Sequence, residues 1–227
     1  RLVLALVVAG FASGRACIPN PEGDFEDFQE RARGFAPPPS GGGDAGFDGA
    51  PPTQAVEGVY YGACLSQLAF GRLDRVFNFY TKTKFTPDPG GAGGTLTLSL
   101  QALTLGATGG PPETVSAAGL VGPEQASPPP AGPNVTPEGR YTIDLGMVTV
   151  PGAANPITGR DVIIMNTKLV GRFAQDRFCA RLNGNVTQPV QLQLEPARNV
   201  CQFVPITEGQ ATPTFTPADF APEACPE

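Results

Sequence analysis

Residues 56 to 206 predict an all-β domain: an antiparallel β-sandwich of about eight strands, with an up-and-down β-barrel as the alternative. Three observations carry that expectation. Apolar residues recur at every second position in segment after segment. Each segment is bounded by Gly, Pro, Asn or Asp. No stretch of the region keeps a long helical period. In "GVYYGACL", Val59, Tyr61, Ala63 and Leu65 share one face. In "VFNFYTKTKF", Phe77, Phe79 and Phe85 oppose Asn78, Lys82 and Lys84, and in "GTLTLSLQ", Leu96, Leu98 and Leu100 oppose Thr95, Thr97 and Ser99. "RYTIDLGMVTV" alternates through Tyr141, Ile143 and Leu145, then changes parity to Val148 and Val150, which places a bulge near Gly146. "DVIIMNTKLVG", "RFCARLNGNV", "VQLQLE" and "NVCQFVPI" continue the pattern, with Asn183-Gly184 reading as a hairpin turn. The proline-rich connection 109 to 139, with a weak strand at 113 to 121, favours the sandwich, because a plain meander barrel closes with tighter turns. Residues 207 to 227 have no strand pattern and read as an extended tail laid on the domain.

Composition excludes several functions. The chain of 227 residues carries 21 Asp and Glu against 15 Lys and Arg, a formal charge of −6. That balance opposes nucleic-acid binding and electrostatic docking on anionic lipid. With no His, the Ser-His-Asp and Cys-His nucleophile systems and every His-ligated metal site are absent. With no Trp, a common sugar-stacking platform is missing. Pro (26) and Gly (29) supply close to a quarter of the chain, so part of it is tether or loop. No cofactor is implied.

The N-terminal region reads as an export signal over residues 1 to 16. "LVLALVVAGFA", residues 2 to 12, has the length of a signal's apolar stretch and is too short for a bilayer span. Cys17 follows the small residue Ala16, as in lipoprotein signals, although Gly14 and Arg15 depart from the usual pattern; ordinary cleavage after Gly14 or Ala16 is the rival. Cysteine parity favours acylation. The chain has five Cys, at 17, 64, 179, 201 and 225. A lipid on Cys17 leaves four, enough for two disulfides in an oxidising compartment. "IPNPEGDFEDFQERA", just after Cys17, resembles the start of uncharacterised secreted lipoproteins of myxobacterial type, a resemblance that brings no activity with it. "DFEDFQERAR", residues 24 to 33, reads as a nascent helix. Residues 17 to 54 form the acylated N-terminus and a Pro/Gly-rich tether, of which residues 34 to 54 cannot build a core, and residues 55 to 206 form the β-domain.

The four remaining cysteines allow three pairings. Cys64 with Cys225 and Cys179 with Cys201 is favoured, because a proline-rich tail gains most from a tie to the first strand. Cys64 with Cys179 and Cys201 with Cys225 is next.

Candidate sites are few. Asp144 and Glu195 are the carboxylates placed within strands, and a glycosidase needs two across a cleft; on the polar face of a strand, however, a solvated charge is the ordinary reading. Asp88, Glu138, Asp161 and Asp176 lie in turns but form no calcium-loop motif. "GGAGG", residues 90 to 94, lacks the Lys and helix of a phosphate loop. "TVPGAANPITGRD", residues 149 to 161, holds three successive turn signals and reads as a connection, or as a rigid recognition surface. The expected function is a non-enzymatic binding or structural module of the cell envelope, held to the membrane by its N-terminal lipid at the outer membrane or cell surface, with an envelope protein or glycan as partner. The alternative is a carrier of a small apolar ligand inside a barrel. A carboxylate-dependent hydrolase has the least support.

Overall fold

The computed structural model describes residues 50–90, 93–174 and 177–226. The signal, Cys17, residues 24 to 33 and most of the tether lie outside them. Nine antiparallel strands form one sheet: β1 Val56–Leu65, β2 Phe77–Pro87, β3 Gly94–Leu103, β4 Leu120–Ala126, β5 Arg140–Val150, β6 Val162–Phe173, β7 Phe178–Gln188, β8 Leu192–Leu194 and β9 Val200–Pro205. Their order is β4-β3-β2-β1-β9-β7-β6-β5, with the short β8 on β7. Apart from β8, every pair is a neighbour in sequence except β1 and β9, which join the two ends of the series. That is up-and-down order.

The sheet nearly closes on itself between β4 and β5. Val135 bridges Gly94 at the start of β3 and Tyr141 in β5. Beside it, Asn134 acts as an extra peptide group: its Oδ1 accepts from Leu96 N at 2.7 Å and its Nδ2 donates to Leu96 O at 2.9 Å. Towards the other end, Gly122 in β4 lies against Pro151, where a Cβ would come within 2.4 Å of the proline ring. The long proline-rich connection therefore serves as the seam. A nearly closed antiparallel sheet is consistent with either a barrel or a sandwich, so the all-β antiparallel expectation holds.

The apolar faces pack inward as the alternation requires. Phe79, Phe85, Leu96, Leu98, Leu100, Tyr141 and Ile143 belong to the interior core. The parity change in β5 is a bulge: the pairing with β6 shifts around Gly146, whose φ is +65°. The face of β1 carrying Tyr61 and Ala63 points outward, into a second core. There the tail after Pro205 covers β1, β9 and β7. Phe215 stacks on Tyr61 with ring centroids 6.1 Å apart, and Phe220 is buried. Arg181 on β7 donates to Cys225 O and Pro222 O, each at 2.8 Å.

Three local expectations need correction. The weak strand at 113 to 121 is an isolated bridge at Thr114 and a single turn at Ala117–Gly119, and the strand is β4 beyond it. Asn183-Gly184 is not a hairpin turn but the middle of β7, paired with β8. A Cβ on Gly184 would lie 2.7 Å from Ile164 Cγ2 and 3.1 Å from Met165 O, so glycine is needed for close approach to the irregular part of β6. The disulfides are Cys64–Cys201 and Cys179–Cys225, not the favoured pairing or its runner-up. Cys64 and Cys201 are direct cross-strand partners on β1 and β9 and face the interior. Cys201 pairs in register with Ala180, so its neighbour Cys179 faces outward, where the tail passes. Two disulfides in one small domain mark an oxidising, extracytoplasmic environment. Among the described residues, no helix is long and apolar enough to cross a membrane.

Candidate functional site at the open end of the barrel

The two ends of the barrel differ. One is plugged by aromatic rings. Phe178 sits at the centre of the plug: it stacks on Phe203 with centroids 4.2 Å apart and planes 8° from parallel, and meets Tyr60 edge-on at 5.1 Å. Phe173 lies 5.8 Å from Phe178 and 5.0 Å from Phe85. Tyr141 closes the set, its hydroxyl donating to Cys179 O at 2.9 Å while burial pushes its pKa far above the ordinary value. Pro51, near the start of the described chain, touches this end beside Gly139.

The other end is hollow. A cavity of about 260 Å³ runs from the mouth down to Phe203. Its walls are apolar side chains such as Phe79, Leu100, Leu145, Ile164, Leu182 and Val186, drawn from five strands. Cys64 of the Cys64–Cys201 disulfide also lines the cavity, on the β1–β9 side. The rim comes from three loops: Leu68 and Phe70 after β1, Ile157 in the connection 151 to 161, and Val190 after β7.

Among the described residues, no charged side chain lines the cavity. The polar side chains that do are engaged within the protein. Asn155 Nδ2 donates to Thr158 Oγ1 at 2.8 Å and to Arg160 O at 2.7 Å, while its Oδ1 accepts from Ile157 N at 3.0 Å. Asn199 Nδ2 donates to Gln67 Oε1 at 2.7 Å and to Glu195 O at 2.8 Å. Thr167 Oγ1 donates to Ile164 O at 3.2 Å, and Ser66 Oγ accepts from Leu68 N at 3.3 Å. These bonds brace the rim loops and leave the wall without a dedicated polar anchor. Phe70 is 81% exposed and Val190 50%, both at the mouth. Phe70 also adopts φ 51°, ψ 40°, a left-handed conformation that is costly for a bulky residue.

The carboxylates singled out from sequence lie elsewhere. Asp144 is exposed on β5; its Oδ1 accepts from Gly146 N at 2.8 Å, shaping the bulge, and its Oδ2 is 3.9 Å from Lys168 Nζ. Glu195 is exposed at the start of a short turn, 3.8 Å from Arg198. Neither lines the cavity, and the structure does not bring them together across a cleft. Asp161 Oδ1 accepts from Gly152 N at 2.7 Å within its own loop. Glu138 accepts from Thr136 Oγ1 at 2.8 Å, a bond that holds its carboxyl below the usual range. Asp88 sits in the β2–β3 turn, and Asp176 lies outside the described residues. Among the described residues, no three His, Cys, Asp or Glu side chains group as a metal site.

The connection 149 to 161 was legible as a distinctive loop but not as part of a cavity mouth. Phe70 and Val190 were missed altogether. The available signal was apolar residues in turns: Leu68, Phe70, Ile157 and Val190 all interrupt loop sequence that alternation does not explain. Comparison with protein families, characterised proteins and solved structures finds no match to this chain.

Proposed function

We propose that this protein is a non-enzymatic binding protein of the cell envelope that holds a small apolar ligand in the open end of its barrel, and that it is tethered to the membrane by a lipid on Cys17. The ligand reading rests on one observation: a cavity of about 260 Å³ whose exposed wall is almost wholly apolar. Eight-stranded barrels leave interior space on the scale of one small ligand, and a site without charge or a free polar anchor favours hydrocarbon over a polar substrate. The anchor reading rests on the apolar run before Ala16 and on cysteine parity, since the other four cysteines are consumed by the two disulfides.

Native mass spectrometry of the full chain, stripped by unfolding and refolded with its disulfides intact, tests the ligand reading. Incubation with an organic extract of the host envelope is expected to add one discrete apolar mass. Ile164→Glu, which puts a carboxylate into the wall, is expected to abolish the adduct. An adduct that persists in Ile164→Glu, or none in the parent chain, contradicts the reading. Mass analysis of the mature N-terminus tests the anchor: an acylated peptide beginning at Cys17 is expected, and any other N-terminus refutes it.

A further inference from the structure

We infer that the ligand is a single unbranched hydrocarbon chain of about ten carbons, that its head group stays at the mouth unrecognised, and that Phe203 sets the chain length; this rests on the apolar-ligand reading above. Size comes first. A cavity of about 150 Å³ accepts benzene, so about 260 Å³ has room for roughly ten carbon atoms. Shape follows from the strands. On β6 the lining runs from Val162 to Leu169. At about 3.3 Å per residue on a strand tilted by about 40°, that is a depth of roughly 18 Å. Spreading about 260 Å³ over that depth leaves a mean cross-section under about 20 Å². Such a slot takes one hydrocarbon chain and is too slender for a fused ring system.

The head group has no receptor. The polar side chains of the lining, Ser66, Asn155, Thr158, Thr167 and Asn199, bond within the protein, and none is charged. A head group carried past the rim would lose its water without replacement. It therefore stays in the mouth, between the loops that carry Phe70 and Val190.

The floor is rigid. Phe203 on β9 pairs in register with Gly62 on β1, and a Cβ at position 62 would come within 2.7 Å of the Phe203 ring. The ring lies flat on that glycine, with its stacked partner Phe178 and the rest of the plug beyond. A chain reaching Phe203 meets a packed aromatic layer that cannot yield by a rotamer change, so further methylenes must remain outside.

Calorimetric titration of the full chain with saturated linear carboxylates of about six to about sixteen carbons reads this directly. Affinity is expected to rise about fourfold per methylene, at roughly 0.8 kcal/mol for each, and to level off near ten carbons. The corresponding linear alcohols are expected within about threefold of the acids, because among the described residues no charged group lines the cavity to favour one head over the other. Val186→Phe, which fills the cavity from β7, should move the plateau to shorter chains, and Phe203→Leu to longer ones. If Phe203→Leu does not fold, Val186→Phe decides alone. A continued rise through the longest chains, a tenfold preference for one head group, or adamantane carboxylate binding as tightly as the best linear chain overturns this inference while leaving the apolar site intact. If neither linear nor cyclic hydrocarbons bind, the apolar-ligand reading falls with it.

Discussion

Gly62 and the two inward threonines of β2 show how tightly the plugged end is set. Gly62 cannot gain a methyl without displacing Phe203, and Phe203 is held by its stacked partner. Gly62→Ala is therefore expected to destabilise the fold by about 1–3 kcal/mol, the usual range for overpacking a full core, although alanine suits a strand better than glycine does. A denaturant midpoint equal to that of the parent would contradict the packing described. Thr81 and Thr83 carry the opposite sign. Both are buried, and neither Oγ1 finds a hydrogen-bond partner among the described residues. Replacing an unsatisfied hydroxyl by a methyl removes a desolvation cost, so Thr83→Val is expected to be neutral or to stabilise by up to about 1–2 kcal/mol. A loss of stability in chemical unfolding would show that the hydroxyl is bonded after all. Alternation puts Thr81 and Thr83 on the inward face with Phe79 and Phe85, but neither the approach of Phe203 to Gly62 nor the lack of partners for the two hydroxyls was legible in sequence.

At the scale of elements, the tail behaves as a structural member. Phe220 is buried against Phe215, 5.5 Å away, and lies in the outer core with Tyr61, Ala63 and Val200. Phe220→Ala is expected to cost about 3 kcal/mol or more, as for other buried aromatics, and a shift in thermal midpoint of less than one degree or so would show the tail to be dispensable. The disulfides divide the same work. In the chain-entropy model, the Cys64–Cys201 loop, with a sequence separation of 137, is worth about 5 kcal/mol, and Cys179–Cys225, with a separation of 46, about 4 kcal/mol. The pair Cys64→Ala and Cys201→Ala is expected to lower the unfolding free energy more than Cys179→Ala with Cys225→Ala; the reverse order in equilibrium unfolding would mean that the tail staple dominates. The strands themselves were readable because their inward faces alternate, and the β5 bulge because parity changes at Gly146. The pairing was not readable, since it depends on β9 returning to β1 and on which face of β7 each cysteine occupies. Asn183-Gly184 misled for a related reason: a glycine required by the neighbouring strand has the same sequence signature as one required by a turn.

For the whole molecule, the account turns on the contrast between a plugged end and a hollow one. Alternation specifies which residues point inward, but a cavity is the space those residues leave, so its volume and depth come from loop placement and from the aromatic plug. The same barrel with its mouth loops drawn inward would have the same strand pattern and no site. The most direct test is methyl-resolved NMR of the full chain, labelled at Ile, Leu and Val and titrated with a linear saturated carboxylate of about ten carbons. Saturable shifts are expected at Ile164, Leu182 and Val186, which line the cavity, while Leu96 and Val135 near the plugged end stay unmoved. Shifts confined to the outer surface, or none at the cavity methyls at saturating ligand, would contradict the claim that the interior of this barrel is a binding site.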